Sequence, residues 1–202
     1  MFLIAALGNP GPEYRRHRHN AGFMVAAELE RRHCLGSFRA KFKGLVVEGC
    51  IAGQSAVLLM PQTYMNLSGE SVGEVARFYR IPVANILAVH DEVELPFGEV
   101  RLKEGQGLGG HNGLRSMEKV LGSRDFWRAR LGVGRPPAGS RVSLADFLLS
   151  PFVEPDWEVR GLIEKGAVLV EDWLTAEGGM PAAARPPDPG PVPRMRGGAQ
   201  PG

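Results

Sequence analysis

The stretch Met1-Phe-Leu-Ile-Ala-Ala-Leu-Gly-Asn-Pro-Gly11 decides the fold. A continuous apolar run ends here at Gly8-Asn9-Pro10-Gly11, which is the pattern of a buried central strand that leads into a turn. The run has no basic leader, and no apolar run in the chain approaches the roughly 20 residues that span a bilayer. We therefore predict a core strand rather than a signal peptide, and a cytoplasmic protein without a membrane partner.

Helix patterns and strand patterns alternate after this first strand. Apolar residues at helical spacing predict one helix after Asn20 and another that begins at Ser68, its predicted N-cap. Residues 44–60 read as two strands joined by a turn, which adds antiparallel pairing. The alternation predicts an α/β fold. We expect a single three-layer αβα domain with a twisted, mixed, mostly parallel sheet and C-terminal helices near the cleft that holds the site.

The composition suits one domain. The chain has 202 residues, of which 44% are hydrophobic, and this is enough for a substantial core. We predict a domain over residues 1–177 and a disordered tail over residues 178–202, which is rich in Pro, Gly and Arg and cannot bury a core. Cys34 and Cys50 are too few for a disulfide framework, and we predict that both are buried thiols in a reducing compartment.

The net charge of the chain is a formal +2, and the arginines of residues 178–202 carry that excess. Overall basicity therefore gives no argument for nucleic acid, and an RNA partner would have to be held by local clusters of cations. Such clusters are Arg15/Arg16/Arg18, Arg39/Lys41/Lys43, Arg101/Lys103 and Arg124/Arg128/Arg130.

Polar side chains follow the predicted strands, at the edge where open α/β sheets usually bind ligands. They are Asn9, Tyr64, Asn66, Asp91, His111 and Asn112. Together with His19 they supply one candidate base, one carboxylate and several neutral amides. A hydrolase that attacks an ester with water needs this set, because a histidine takes the proton, an aspartate sustains its charged form and amides hold the carbonyl and the oxyanion.

Two familiar motifs occur in unfavourable contexts. Gly105–Gly110 matches the GxGxxG of dinucleotide-binding loops, but the strand before it is polar, so we predict a tight loop that lets a polymer backbone approach. Gly69–Gly73 matches GxSxG around Ser71, but a polar loop rather than a strand precedes the serine, which falls in the first turn of a helix. A serine esterase that uses Ser71 remains an alternative function.

Four blocks of the sequence together resemble the bacterial-type peptidyl-tRNA hydrolases. They are LGNPGPEYRRHRHNAGF, MPQTYMNLSGESV, HDEVELPFGEVRLKEGQGLGGHNGLRS and FWRARLGVGRP, all within residues 7–136. VSLADFLLSPF is a weaker fifth block, and the proline-rich tail lies outside the resemblance. The resemblance implies hydrolysis of the ester between a peptide and the 3′ ribose of tRNA, which recycles tRNA from peptides dropped by stalled ribosomes.

The resemblance also implies roles for individual residues. His19 matches the general base, Asp91 the carboxylate that sustains its basic form, and Asn9 the asparagine that distinguishes N-blocked from free aminoacyl groups. Four further positions match substrate contacts, with His111 beside them: Tyr14, Tyr64, Asn66 and Asn112. Lys103 and Arg130 match the positions where the family clamps a tRNA phosphate. Peptidyl-tRNA is the expected partner. We expect no cofactor, no metal and no obligate protein partner, and therefore a monomer.

Three positions depart from the family pattern. His17 stands where threonine is usual, Gln106 interrupts a loop that is more often all glycine, and Glu94 replaces a more usual aspartate. His17 places a second titratable ring within two residues of the base, so the pH profile is expected to differ. The non-enzymatic alternative is an RNA-binding relative of the kind that organellar splicing factors represent. Retention of His19, Asp91, Asn9 and Asn112 together argues against it, because a protein that only binds RNA does not need the pair of base and carboxylate.

Overall fold

A seven-stranded sheet runs through the centre of the computed structural model, which describes residues 1–105 and 107–179. The strands lie in the spatial order β2-β3-β4-β1-β5-β7-β6. Their bounds are β1 Phe2–Ala6, β2 Arg39–Lys41, β3 Gly44–Ile51, β4 Gln54–Pro61, β5 Ile86–Glu92, β6 Val100–Glu104 and β7 Trp127–Gly132.

The sheet is parallel at its centre and antiparallel at both edges. β1 pairs in parallel with β4 and β5, and β5 pairs in parallel with β7. The pairs β2–β3, β3–β4 and β6–β7 are antiparallel. The predicted α/β class with a mixed sheet is therefore confirmed, and so is the hairpin predicted over residues 44–60. The short edge strand β2 was not predicted, because it is three exposed residues without an apolar pattern.

Helices cover both faces of the sheet and complete the three layers. Their bounds are α1 Ala21–His33, α2 Ser68–Phe78, α3 Asn112–Leu121, α4 Leu144–Leu148 and α5 Asp156–Gly179. One apolar core lies between the sheet and the pair α1 and α5, and the other between the sheet and the pair α2 and α3. Alternate residues of β1 enter the two cores, with Ile4 in the first and Leu3 in the second. A strand that is buried on both faces has no polar alternation, which explains its continuous apolar run.

Two local predictions were wrong. Ser68 is the first residue of α2 and not its N-cap, and its hydroxyl donates to the Met65 carbonyl oxygen at 2.9 Å. Cys34 and Cys50 are exposed rather than buried. Cys34 follows the last residue of α1, and Cys50 lies next to the last residue of β3. Cys50 is on the same face of β3 as the exposed Glu48, whereas the adjacent Ile51 on the other face is fully buried, so the direction in which Cys50 points leaves it uncovered.

The described part of the chain ends with the last residue of α5, Gly179. The predicted tail over residues 178–202 lies outside the described residues, except for its first two glycines, which belong to α5. Among the helices of residues 1–105 and 107–179, none combines the length and the apolar composition of a membrane span.

The GxSxG segment forms a close crossing of two helices. An added Cβ at Gly69 would lie 2.1 Å from the main-chain oxygen of Ser116, so only glycine lets α2 approach α3 this closely. Ser71 is buried, and its hydroxyl donates to the Phe42 carbonyl oxygen at 2.7 Å. The serine is therefore used for packing and offers no exposed nucleophile.

Candidate active site

The carboxyl ends of the central strands bring the predicted polar residues together. β1 and β5 are parallel neighbours, so the segment that follows Ala6 and the end of β5 at Asp91 lie at one edge of the sheet. The start of α1 packs directly on these strands. An added Cβ at Gly22 would lie 2.4 Å from the Val89 carbonyl oxygen, so the glycine allows the chain just before α1 to reach the same edge.

Two histidines donate to one oxygen of Asp91. His19 Nδ1 lies 2.8 Å from Asp91 Oδ1, and His111 Nε2 lies 3.1 Å from the same atom. His19 belongs to a 3-10 turn, Arg18–Asn20, and His111 is the N-cap of α3. The Asp91 side chain is 1% exposed, so its charge is stabilised by these two donors rather than by bulk water.

The hydrogen bonds decide where each ring carries its proton. His111 Nδ1 accepts from the main-chain N–H groups of Gly113 and Leu114, at 3.2 and 3.4 Å. Its proton is therefore on Nε2, from which it donates to Asp91. Asp91 also accepts from His19 Nδ1, so in a neutral His19 the lone pair is on Nε2. A neutral imidazole with a free Nε2 is the form that can accept a proton from water.

The same contacts shift the pKa values of the cluster. Burial lowers the pKa of His19, but the charge of Asp91 and its hydrogen bond outweigh burial, so the net pKa is raised. Burial alone would raise the pKa of Asp91, and the two histidines reverse this and hold it well below its usual range. Burial and the neighbouring His111 lower the pKa of His90 to about 3, so His90 stays neutral.

His19, Asp91 and His111 could in principle hold a metal ion, since their ligand atoms lie within 4.8 Å of one another. The donor chemistry does not fit. The lone pair of His111 Nδ1 is used by two N–H donors of α3, so Nε2 keeps its proton and cannot ligate a metal. The absence of a metal ion remains a prediction.

Asn9 presents an amide donor with a defined orientation. Its Oδ1 accepts from the Met65 main-chain N–H at 2.9 Å, and within residues 1–105 and 107–179 its NH₂ group donates to no other group, so this donor can serve a ligand. The main chain of Asn9 is held by Asn20. Asn20 Oδ1 accepts from the Asn9 N–H at 3.0 Å, and Asn20 Nδ2 donates to the Asn9 carbonyl oxygen at 2.9 Å. Asn20 therefore couples the position of Asn9 to the turn that carries His19.

A cleft of about 690 Å³ lies over this cluster. Its lining includes most of the predicted site residues: Asn9, His19, Tyr64, Asn66, Asp91, His111 and Asn112. The remaining lining is largely apolar and includes Leu108 and residues of the α4 segment. A candidate base, a buried carboxylate and several amides thus face one open space, which is the arrangement that general-base ester hydrolysis requires.

A model of one protein family, described as peptidyl-tRNA hydrolase, matches residues 3–185. The chain belongs to the peptidyl-tRNA hydrolase family. The resemblance found in the four sequence blocks is confirmed.

Relatives with this name align over much of the chain. The peptidyl-tRNA hydrolase of Rhodococcus erythropolis is 47% identical over 184 residues, which cover 90% of this chain and 94% of the relative. That of Rhodospirillum centenum is 49% identical, with 77% of this chain and 67% of the relative covered. That of Rhodospirillum rubrum is 48% identical, with 78% of this chain and 64% of the relative covered. The chain thus spans about two thirds of the length of these two relatives.

The fold of the family is known from solved structures. The crystal structure of peptidyl-tRNA hydrolase from Acinetobacter baumannii has a TM-score of 0.75 to this chain at 36% sequence identity. The comparison covers 87% of this chain and 91% of that one. The three-layer fold and the mixed sheet are therefore those of a peptidyl-tRNA hydrolase.

Three residues that the family resemblance singled out lie outside the cleft lining. Tyr14 packs edge-on against the ring of His17, with 5.4 Å between ring centroids. Lys103 is on β6 and Arg130 is on β7. Arg130 Nε donates to Glu92 Oε2 at 2.9 Å, and Glu92 itself lines the cleft. Arg130 is thus tied to the cleft rim, whereas the Tyr14 ring faces His17.

Two of the predicted cationic clusters contain a buried arginine. Arg18 is 1% exposed and pairs with Glu154, and Arg128 is 2% exposed and donates to the Gly107 carbonyl oxygen at 2.6 Å. These two side chains cannot contribute to an RNA-binding surface. The sequence placed them beside exposed arginines, and only the packing of the chain distinguishes them.

Asn20 holds the main chain of Asn9, and no sequence motif pointed to this contact. Asn20→Ala is expected to lower the free energy of unfolding by about 2–4 kcal/mol, because it leaves the buried N–H and C=O of Asn9 without partners. The rate of ester hydrolysis should also fall, because Asn9 loses its position relative to His19. Urea unfolding and steady-state kinetics measure the two effects.

Asn85→Ala is the matched control for this substitution. Asn85 also donates to a main-chain carbonyl, that of Met1 at 3.4 Å, but it does so at the surface. We expect this variant to stay within about 0.5 kcal/mol of the unsubstituted protein. Equal effects of the two substitutions would contradict the role assigned to Asn20.

Proposed function

We propose that this protein is a peptidyl-tRNA hydrolase that cleaves the ester between a peptide and the 3′ ribose of tRNA. The observation that carries the proposal is the hydrogen bonding of His19, which directs Nδ1 to Asp91 and leaves Nε2 for a water molecule in the cleft. The amide of Asn9 faces the same space with its donors free. The products are a peptide with a free carboxylate and a tRNA with a free 3′ hydroxyl.

The reaction divides into two proton transfers. Nε2 of His19 takes a proton from water while the water oxygen bonds to the ester carbonyl carbon, and the carbonyl oxygen becomes an oxyanion. Asp91 stabilises the imidazolium that forms, because it is an ionised acceptor already in contact with Nδ1. When the intermediate collapses, the C–O bond to ribose breaks and the ribose oxygen takes the proton from His19.

Amide side chains supply the remaining interactions in this proposal. Asn9 and Asn112 donate to the carbonyl oxygen and the peptide main chain, and Asn66 and Tyr64 contact the substrate at the cleft mouth. His111 acts on Asp91, which it holds in its ionised form. Contacts to the peptide main chain do not depend on sequence, which suits an enzyme that recycles tRNA from any dropped peptide.

The RNA would be held through its phosphates by one face of the sheet edge. In the β6–β7 pair, Arg101 is opposite Arg130 and Lys103 is opposite the buried Arg128, so Arg101, Lys103 and Arg130 are the cations on this face that RNA can reach. Lys103 takes part in none of the ion pairs of the described residues. We assign the phosphate to Lys103 and Arg130, and expect binding that weakens as salt rises. The proposal includes a cytoplasmic, monomeric enzyme whose domain covers residues 1–177.

The proposal is tested with two esters of the same tRNA, one carrying an N-acetylated aminoacyl group and one carrying the free aminoacyl group. The protein is expected to release tRNA from the N-acetylated ester and to act much more slowly on the free one. A serine-reactive phosphonate should leave the release unchanged, because Ser71 is buried and bonded to Phe42. Inhibition by the phosphonate would favour a serine esterase, and the absence of release would favour a non-catalytic RNA-binding protein.

A further inference from the structure

Arg18 is a buried arginine whose two terminal guanidinium nitrogens are both hydrogen-bonded to a distant segment of the chain. Its guanidinium donates to both carboxylate oxygens of Glu154, at 3.1 and 2.9 Å, and to Ser150 Oγ at 3.2 Å. It also donates to the carbonyl oxygen of Pro151. Because Arg18 directly precedes His19, these bonds tie the turn that carries His19 to residues 150–154.

The same contact extends to α4 through aromatic rings and the main chain. The guanidinium carbon lies 4.3 Å from the ring centroid of Phe147 and 5.2 Å from that of Phe152. The Arg18 main-chain N–H donates to the Ser150 carbonyl oxygen at 3.1 Å. Phe147 belongs to α4, so Arg18 holds this helix as well as the segment after it.

α4 needs such an anchor. It has five residues, none of them fully buried, and a helix of this length is unstable on its own in water. Leu144, Leu148 and Leu149 nevertheless line the cleft. Leu144 and Leu149 are each more than two fifths exposed, so apolar surface in the cleft is left open beside the reacting groups.

We propose that Arg18 is a positioning residue that fixes α4 so that its leucines form an apolar subsite for the side chain of the amino acid esterified to the RNA. The inference rests on the proposed function. The main chain of the substrate contacts the amides of Asn9 and Asn112, which do not select among side chains. The leucine surface is then the part of the cleft that selects among substrate side chains. Large apolar side chains are favoured because they cover this surface.

The test compares N-acetyl-leucyl and N-acetyl-glycyl esters of one tRNA. The unsubstituted protein is expected to show kcat/KM about fivefold or more higher for the leucyl ester, the effect of covering part of a leucine side chain. Leu144→Ser combined with Leu149→Ser should bring this ratio close to 1, because the apolar surface that favours the leucyl ester is lost. Val168→Ser on α5, which is 44% exposed and outside the cleft, is the control and should preserve the ratio.

Arg18→Lys tests the positioning role, because lysine keeps the charge but loses the paired donors and the planar group between the phenylalanines. It should lower the ratio of the two esters, mainly through KM for the leucyl ester. Arg31→Lys, which alters an exposed ion pair with Glu28, should leave the ratio of the two esters unchanged. A ratio near 1 in the unsubstituted protein, or an Arg18→Lys variant that loses activity equally on both esters, would overturn the proposal. Hydrolysis of neither ester would instead overturn the proposed function.

Discussion

His19→Ala is expected to lower kcat for N-acetyl-aminoacyl-tRNA by about 10²–10⁴-fold, the range for loss of a positioned general base. The variant keeps Asn9 and its amide, since these are held by Met65 and Asn20 and not by the His19 ring. Asp91 also keeps the hydrogen bond from His111. Substrate binding should therefore change much less than kcat. Single-turnover hydrolysis with saturating enzyme, together with a binding titration, separates the two effects.

The control for this variant is His33→Ala. His33 Nε2 lies 2.9 Å from Glu171 Oε1, so it also belongs to a histidine–carboxylate pair, but the pair joins α1 to α5 away from the cleft. Its loss should leave kcat within about twofold of the unsubstituted protein, because in the described part of the chain this partly exposed pair contacts no residue of the cleft. Near-normal kcat in His19→Ala would show that another group takes the proton.

Asp91→Asn is expected to lower kcat/KM by about 10-fold to 150-fold, because a charge-assisted hydrogen bond to the imidazolium is worth about 1.5–3 kcal/mol. The more specific expectation concerns pH. In the proposed mechanism His19 acts in its neutral form, so activity is expected to fall as pH drops through the raised pKa of His19. Asparagine removes both contributions of Asp91 that raise this pKa and leaves burial, which lowers it.

The acidic limb of the pH profile of kcat/KM should therefore move to lower pH in Asp91→Asn, even though the plateau is lower. An unchanged midpoint, or a midpoint that moves to higher pH, would contradict the assignment of the base and its carboxylate. Thermal unfolding of the variant at each pH shows whether the change is confined to the site. This control is needed because His111 donates to Asp91 Oδ1 and is also the N-cap of α3, so a change at Asp91 can affect the stability of that helix.

Much of the site could be predicted because parallel strands share an edge. The positions of Asn9 and Asp91 after apolar runs place both at the carboxyl ends of neighbouring strands, so their meeting follows from topology. The sequence did not reveal the role of Asn20 or the burial of Arg18. Each depends on a partner outside its own turn: Asn20 bonds to Asn9, 11 positions away, and Arg18 bonds to Glu154, 136 positions away.

The exposure of Cys34 and Cys50 is a second property that the sequence could not predict. Cysteine is one of the residue types most often buried, so composition predicts burial for Cys34 and Cys50. Whether a given side chain is covered depends on which other elements pack over its face of the strand or helix, and no local sequence pattern predicts that packing. The exposure of both thiols is therefore a finding of the structure.

The sequence by itself determined the α/β class, the order of the elements apart from β2, and the family, because helix and strand periodicities and the motif blocks are local properties of the chain. Only the tertiary structure decided which nitrogen of His19 and of His111 carries the proton, which arginines are available to RNA, and what holds α4 at the cleft. The physical reason is that protonation and burial depend on the atoms within a few ångströms of a group, and folding brings those atoms from remote parts of the chain.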